Sequence, residues 1–235
     1  MTSCATAIDR LDWKGIAARL DIDGYAALPG LLSPKQAHAL ALQVATPDAL
    51  RRVALASDKL GRGELFYFGR QLPTLLADWR VALYRHLTPI ANYWNETLGI
   101  SYRYPAELDE FLLRNRQAGQ LRPISHLNLL GEADYLALHQ RRDGEHAFPL
   151  QVVGLLAEPG RDFCGGEFVM TEQRPRMQSR PMVLPLKFGD MAIIGAAQRP
   201  FKGSKGYYRV NLKHAISRVR GGERIGLELS FHDSQ

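Results

Sequence analysis

Two stretches near the end of the chain alternate in a way that suits strands laid between two different surfaces. In the first, Tyr208, Val210, Leu212 and His214 share one face, with Arg209, Asn211 and Lys213 on the other. In the second, Ile225, Leu227, Leu229 and Phe231 alternate with Arg224, Gly226, Glu228 and Ser230. Upstream, residues 148–157 form a nearly continuous apolar run, as a strand buried on both faces would show. Stretches 166–171, 182–186 and 191–196 also read as strands, set apart by Gly, Pro and Asp turns. A chain of this texture must close sheet upon sheet.

The first hundred residues read as helical instead. Residues 11–20 form a short amphipathic set ended by Asp23-Gly24, and 25–28 look like a brief strand. Ser33-Pro34 supplies a capping hydroxyl followed by proline at the first helical position, opening a helix to about residue 44. A longer helix is expected over 75–98, where Leu76, Trp79, Leu83, Leu87, Ile90 and Trp94 fall at helical spacing. Pro89 lies inside that pattern and should kink or split it. The sum is an α+β chain, mainly β with helical support: a jelly roll preceded by N-terminal helices. One domain spans 1–235, with about 1–120 as the support and about 121–235 as the roll.

Composition excludes several classes. No apolar run approaches the roughly 20 residues of a membrane helix. Residues 1–14 include Asp9 and Asp12 and lack the layout of a signal peptide. Cys4 and Cys164 are the two cysteines, too few for a disulfide framework, so a reducing, cytoplasmic setting is expected. Between Gln173 and Gly222 there are eleven basic residues and one acid, a net +10 in a chain of net +6. Such a surface would attract an anionic partner, though solvent-facing strand positions alone account for it, and no aromatics interleave with Arg174, Arg176 and Arg180.

Two histidines end apolar-alternating stretches, His139 in Leu138-His139-Gln140 and His214 in Leu212-Lys213-His214, and Arg224 follows ten residues after the second. That layout suggests an iron site of the two-histidine, one-carboxylate kind. The blocks 118–123, 144–153, 162–180, 203–219 and 224–233 carry a resemblance, above all Gly165-Gly166-Glu167-Phe168 through Gln173-Arg174-Pro175-Arg176-Met177-Gln178-Ser179. On these residues the chain resembles a bacterial branch of the iron(II)/2-oxoglutarate oxygenase superfamily, a group proposed to act in oxidative repair of alkylated DNA. The resemblance implies a double-stranded β-helix, Fe(II) held by His139 and His214, and Arg224 on the distal carboxylate of the co-substrate 2-oxoglutarate. It further implies oxidative decarboxylation of 2-oxoglutarate coupled to hydroxylation or oxidative demethylation of a second substrate, either alkylated nucleic acid or a small molecule.

Three positions depart from the family pattern. The first motif should read His-x-Asp but reads His139-Gln140-Arg141; an expected tyrosine is Leu130, and an expected asparagine is Leu136. A guanidinium beside Fe(II) is repelled, by about 4 kcal/mol for two unit charges at 4 Å and an effective dielectric of 20. Arg141 is therefore expected to point away, or the metal to be absent. Asp143 shares strand parity with His139, but four strand residues span roughly 13 Å, so it reaches a shared metal only through a bulge or early turn. Asp143-Gly144 is equally a plain turn dipeptide. His146 is a further replacement ligand to consider. The alternative class is an oxygenase-fold binding protein that lost its carboxylate ligand and its catalysis. His38, His86 and His126 read as structural, Cys164 lacks a partner base, and Gly61-Arg62-Gly63 lacks the setting of a nucleotide loop.

Overall fold

The computed structural model describes residues 4–46, 50–142, 144–204 and 206–235. Two sheets face each other. The larger runs Tyr25–Leu28, Met191–Gly195, Leu150–Leu155, Arg224–Leu229, His126–Leu130, Glu64–Tyr67 and Arg51–Ala54 in spatial order. The smaller runs Arg180–Leu184, Phe168–Gln173, Gly206–Ile216, Tyr135–His139 and Gly61–Arg62, with Gln198–Gly203 also paired to Gly206–Ile216. Pairing within both is antiparallel. This is a double-stranded β-helix with helices against its larger sheet.

Side-chain parity divides the larger sheet into two buried faces. Leu127, Leu227, Leu229, Val152 and Ile193 point to one side and join Trp79, Leu83, Leu87, Ala91 and Trp94 of the helix Thr74–Thr97 in one core. Val153, Leu155, Ala192, Ile194 and Leu130 point to the other and meet Phe168, Met170, Leu212 and Ile216 of the smaller sheet. Each fully buried Leu, Ile, Val or Phe contributes about 1.5–3 kcal/mol, so both faces stabilise the sheet. The inner face also buries polar groups from three neighbouring strands: His126 and Asn128, Gln151, and Arg224 and Glu228. Burying such groups costs free energy unless they are paired or used, which marks this end of the roll.

The helical lead-in follows its capping signals. Trp13–Asp23 starts at Asp12, whose carboxylate accepts from Gly15 N at 2.9 Å, and stops at Gly24 with φ 77°. Pro34–Ala41 is closed by a reciprocal box between Ser33 and Gln36, and a 3-10 turn, Leu42–Ala45, continues it. One alternative is removed and one expectation is corrected here. The helix Thr74–Thr97 passes through Pro89 without splitting. Pro89 and Arg85 are exposed, so the helix loses one backbone donor on its surface side. The first hundred residues are also less helical than they read: Arg51–Ala54, Gly61–Arg62 and Glu64–Tyr67 extend the two sheets. Among the described residues no helix is long and apolar enough to cross a membrane.

Candidate metal centre

His139 and His214 are cross-strand partners on the smaller sheet, and their ring centroids lie 4.2 Å apart. Nδ1 of His139 stands 2.9 Å from its own strand's Ala137 carbonyl. A proton donated there leaves Nε2 with its lone pair, the form a metal requires. His214 is fully buried, stacks on Phe168 at 5.8 Å, and has Gln151 Nε2 3.1 Å from its Nε2. Burial first, then the neighbouring His139, pushes the His214 pKa down to about 3, so the ring is neutral at ordinary pH.

The third group comes from the facing sheet. One ligand atom each from His139, His214 and Glu228 can be chosen so that all lie within 4.8 Å of one another. Glu228 is 1% exposed, and neither carboxylate oxygen has a hydrogen-bond partner among the described residues. Two groups flank it: His126 Nε2 at 3.7 Å and Arg141 Nε at 3.6 Å. Burial works to raise the Glu228 pKa, but His126, Arg141 and the other two histidines together hold it well below the usual carboxylate range. A neutral His214, a second imidazole beside it and one ionised carboxylate without a hydrogen bond among the described residues are a donor set that fits a divalent cation.

Arg141 does not point away. It shares the parity of His139, so it turns inward as the missing aspartate would have done, and its side chain is 8% exposed. Its counter-ion is Glu228, and it also acts on the buried Tyr67 hydroxyl by charge and hydrogen bond. The strand holding the first histidine thus carries the cation, and the opposite sheet carries the anion. Sequence reasoning missed Glu228 because it looked for the carboxylate near His139. The available signal was its parity with Arg224 on an inward-facing strand.

Arg224 is 2% exposed, donates from Nε to Gly166 O at 2.8 Å and from Nη1 to Asn128 Oδ1 at 3.0 Å. Burial lowers its pKa to about 10, which leaves it cationic. It reaches a cavity of about 300 Å³ whose walls include Phe163, Gly166, Glu167 and Leu184. Gly226 is required beside it: a Cβ there would lie 2.7 Å from both Arg224 Nη1 and Asn128 Oδ1. Leu130 faces Arg224 across the ladder, and Leu136 is buried in the inter-sheet core.

A family model described as an oxygenase catalysing oxidative methylation of damaged DNA matches residues 63–234. The chain belongs to this oxygenase family. An uncharacterized protein of Mycobacterium tuberculosis is 41% identical over 163 residues, 69% of this chain and 70% of that protein. A prolyl-4-hydroxylase of Pseudomonas putida is similar in structure, with a TM-score of 0.56 at 15% identity over 95% of this chain and 99% of that one. An oxidoreductase of the 2OG-Fe(II) oxygenase family from Burkholderia pseudomallei gives 0.52 at 18% identity, covering 96% and 93%. These two likenesses bear on the fold.

In this oxygenase-family chain the remaining sequence candidates separate clearly. Asp143 lies outside the described residues. His146 stacks on Tyr102 at 5.1 Å and is not in the three-residue group. His38 stands against the Pro34 carbonyl, and His86 stacks on Trp13 and meets Asp9. His126 faces Glu228 inside the roll but is not in the three-residue group. Cys164 is exposed and unpaired with any other cysteine. The basic segment is only partly surface: Arg199 is fully buried, paired with Glu172 and donating to the Asp21 carbonyl at 2.6 Å.

Proposed function

We propose that the protein is an Fe(II)/2-oxoglutarate-dependent dioxygenase whose metal ligands are His139, His214 and Glu228. The observation that carries this reading is the convergence of those three ligand atoms within 4.8 Å, with the carboxylate supplied by the sheet opposite the imidazoles. Arg224 would bind the distal carboxylate of 2-oxoglutarate through its guanidinium fork, a bidentate match. When bound, iron and 2-oxoglutarate together supply the oxidising chemistry: with O2, 2-oxoglutarate gives succinate and CO2, and one oxygen atom goes to a C–H bond of the second substrate.

The chain's own residues have separate tasks in that scheme. Burial keeps His214 neutral, Phe168 stacks on its ring, and the Ala137 carbonyl fixes the tautomer of His139. Arg141 holds the Glu228 carboxylate ionised in a buried place, and must yield it to the cation on loading. Asn128 and Gly166 O orient Arg224. Damaged, alkylated nucleic acid is the second substrate that the family description favours, and a small molecule is the other candidate.

A second reading rests on the Arg141–Glu228 ion pair itself. If that pair is the permanent occupant, the chain is a binding protein on an oxygenase fold. Anaerobic titration with Fe(II) and 2-oxoglutarate separates the two, because an assembled site shows a metal-to-ligand charge-transfer band. The expected result is a band in the wild-type chain that is lost in Glu228→Gln, with succinate formed on admission of air. Absence of the band in the wild type, and its appearance in Arg141→Asp, would establish the binding-protein reading.

A further inference from the structure

A second cavity, of about 170 Å³, opens beside the helices Thr74–Thr97 and Leu108–Gln117, and neither histidine of the pair lines it. Its walls include Gly69, Arg70, Arg80, Arg116 and Asp233. Three guanidinium groups therefore face one carboxylate. Arg80 projects from the helix Thr74–Thr97, and its side chain is 13% exposed. Its Nε is inaccessible to solvent and has no hydrogen-bond partner among the described residues, and Asp233 stands 3.8 Å from its Nη2, beyond hydrogen-bond reach.

Asp233 is not placed to close that gap. Its backbone is tied to Pro123 by a short ladder, its N–H donates to Asn115 Oδ1 at 2.9 Å, and its carbonyl accepts from Gln120. Burial raises its pKa despite all three arginines. A Cβ at Gly69 would meet nothing within 4 Å, so the wall is open there. A buried guanidinium short of both counter-charge and acceptors is costly unless something supplies them.

We propose that this cavity is a binding site for a phosphate-class oxyanion, separate from the site that would take 2-oxoglutarate. The chemistry is that of several planar forks meeting one tetrahedral oxyanion; a single planar carboxylate occupies one fork and leaves the others unmatched. The group has two sources, free inorganic phosphate and the phosphodiester of a nucleic acid. The inference does not depend on iron, and its test is run on the metal-free full chain.

Thermal melts and calorimetry with sodium phosphate are compared with chloride and succinate at equal ionic strength. The expected result is a saturable rise in Tm with phosphate alone. The exposed pair Arg70→Gln, Arg116→Gln should weaken phosphate binding by about tenfold or more, about 1.4 kcal/mol, while keeping the wild-type Tm in chloride. A short single-stranded oligonucleotide that competes with phosphate assigns the group to nucleic acid, and phosphate binding without competition assigns it to the free ion; either result supports the site. Phosphate no more effective than chloride, or a double variant that binds as the wild type does, overturns it. That failure would leave the charge-transfer band of the iron reading unaffected.

Discussion

Arg141 Nε lies 3.6 Å from Glu228 Oε2 between the two sheets, with the side chains 8% and 1% exposed. The pair sits where a cation from outside would have to bind, so the guanidinium and the metal compete for one carboxylate. Removing a partner from a buried pair costs about 3–5 kcal/mol, because the other charge is left uncompensated. Arg141→Gln should therefore destabilise the metal-free protein by about 3 kcal/mol and tighten Mn(II) binding by about tenfold or more. Chemical denaturation and metal titration measure the two effects, and a variant that binds Mn(II) no better than wild type would show that the guanidinium is not a competitor.

The inward carboxylate makes the opposite prediction. Loss of outer partners of metal ligands costs roughly 10–100-fold in affinity, so loss of a ligand should cost at least that. Glu228→Gln should bind Mn(II) at least about a hundredfold more weakly, whereas Gln151→Leu, which frees His214 Nε2 from an amide donor, should bind it no more weakly than the wild type. Equal losses in both would remove Glu228 from the ligand set.

Acid should destabilise the metal-free fold well before ordinary carboxylates titrate. Burial, reinforced by Arg80 and Arg141, lowers the His232 pKa to about 3, and burial first also lowers His126 to about 4. His232 Nδ1 accepts the Phe148 N–H at 3.2 Å, a bond that the protonated ring could not accept. The unfolded chain takes up these protons near pH 6.5 and the folded one does not, so stability is intact above about pH 6.5 and declines as pH falls toward these folded values. Glu228, with its depressed pKa, adds a further loss below about pH 4.5. Thermal melts at about pH 7 and about pH 5 should show the decline; a level Tm would mean that these rings take up protons without unfolding.

Gly226→Ala tests the arginine pocket. The added Cβ would fall 2.7 Å from Arg224 Nη1 and from Asn128 Oδ1, so the guanidinium must shift. Overpacking of this kind costs about 1–3 kcal/mol. Calorimetry should show 2-oxoglutarate binding weakened by about tenfold with the Mn(II) affinity little changed.

Arg199 gives a control outside the three-residue metal group. It is fully buried against Glu172 and also donates to the carbonyls of Asp21 and Ile22. Glu172→Gln should cost about 3–5 kcal/mol of unfolding free energy, read by denaturant titration, with no change in metal affinity.

The fold was legible wherever local chemistry dictated it. Ser33 and Gln36 announce their helix, and the alternation through His214 and after Arg224 announces two strands with an inward face. Glu64–Tyr67 was not legible, because a short strand in a helical context is specified by its pairing to His126–Leu130, about sixty residues away by the register Tyr67 to His126. The site split in the same way. His139, His214 and Arg224 stood out by spacing. Glu228 and His126 did not, since they reach the histidine pair only through the facing of two sheets, which no sequence interval records.

A metal held by His139, His214 and Glu228 would be a rivet through both walls of the roll, not an ornament on one. Loading should then restrain the breathing of the walls against each other. Amide hydrogen exchange should slow together in Tyr135–His139, Gly206–Ile216 and Arg224–Leu229, three strands that no single sheet contains.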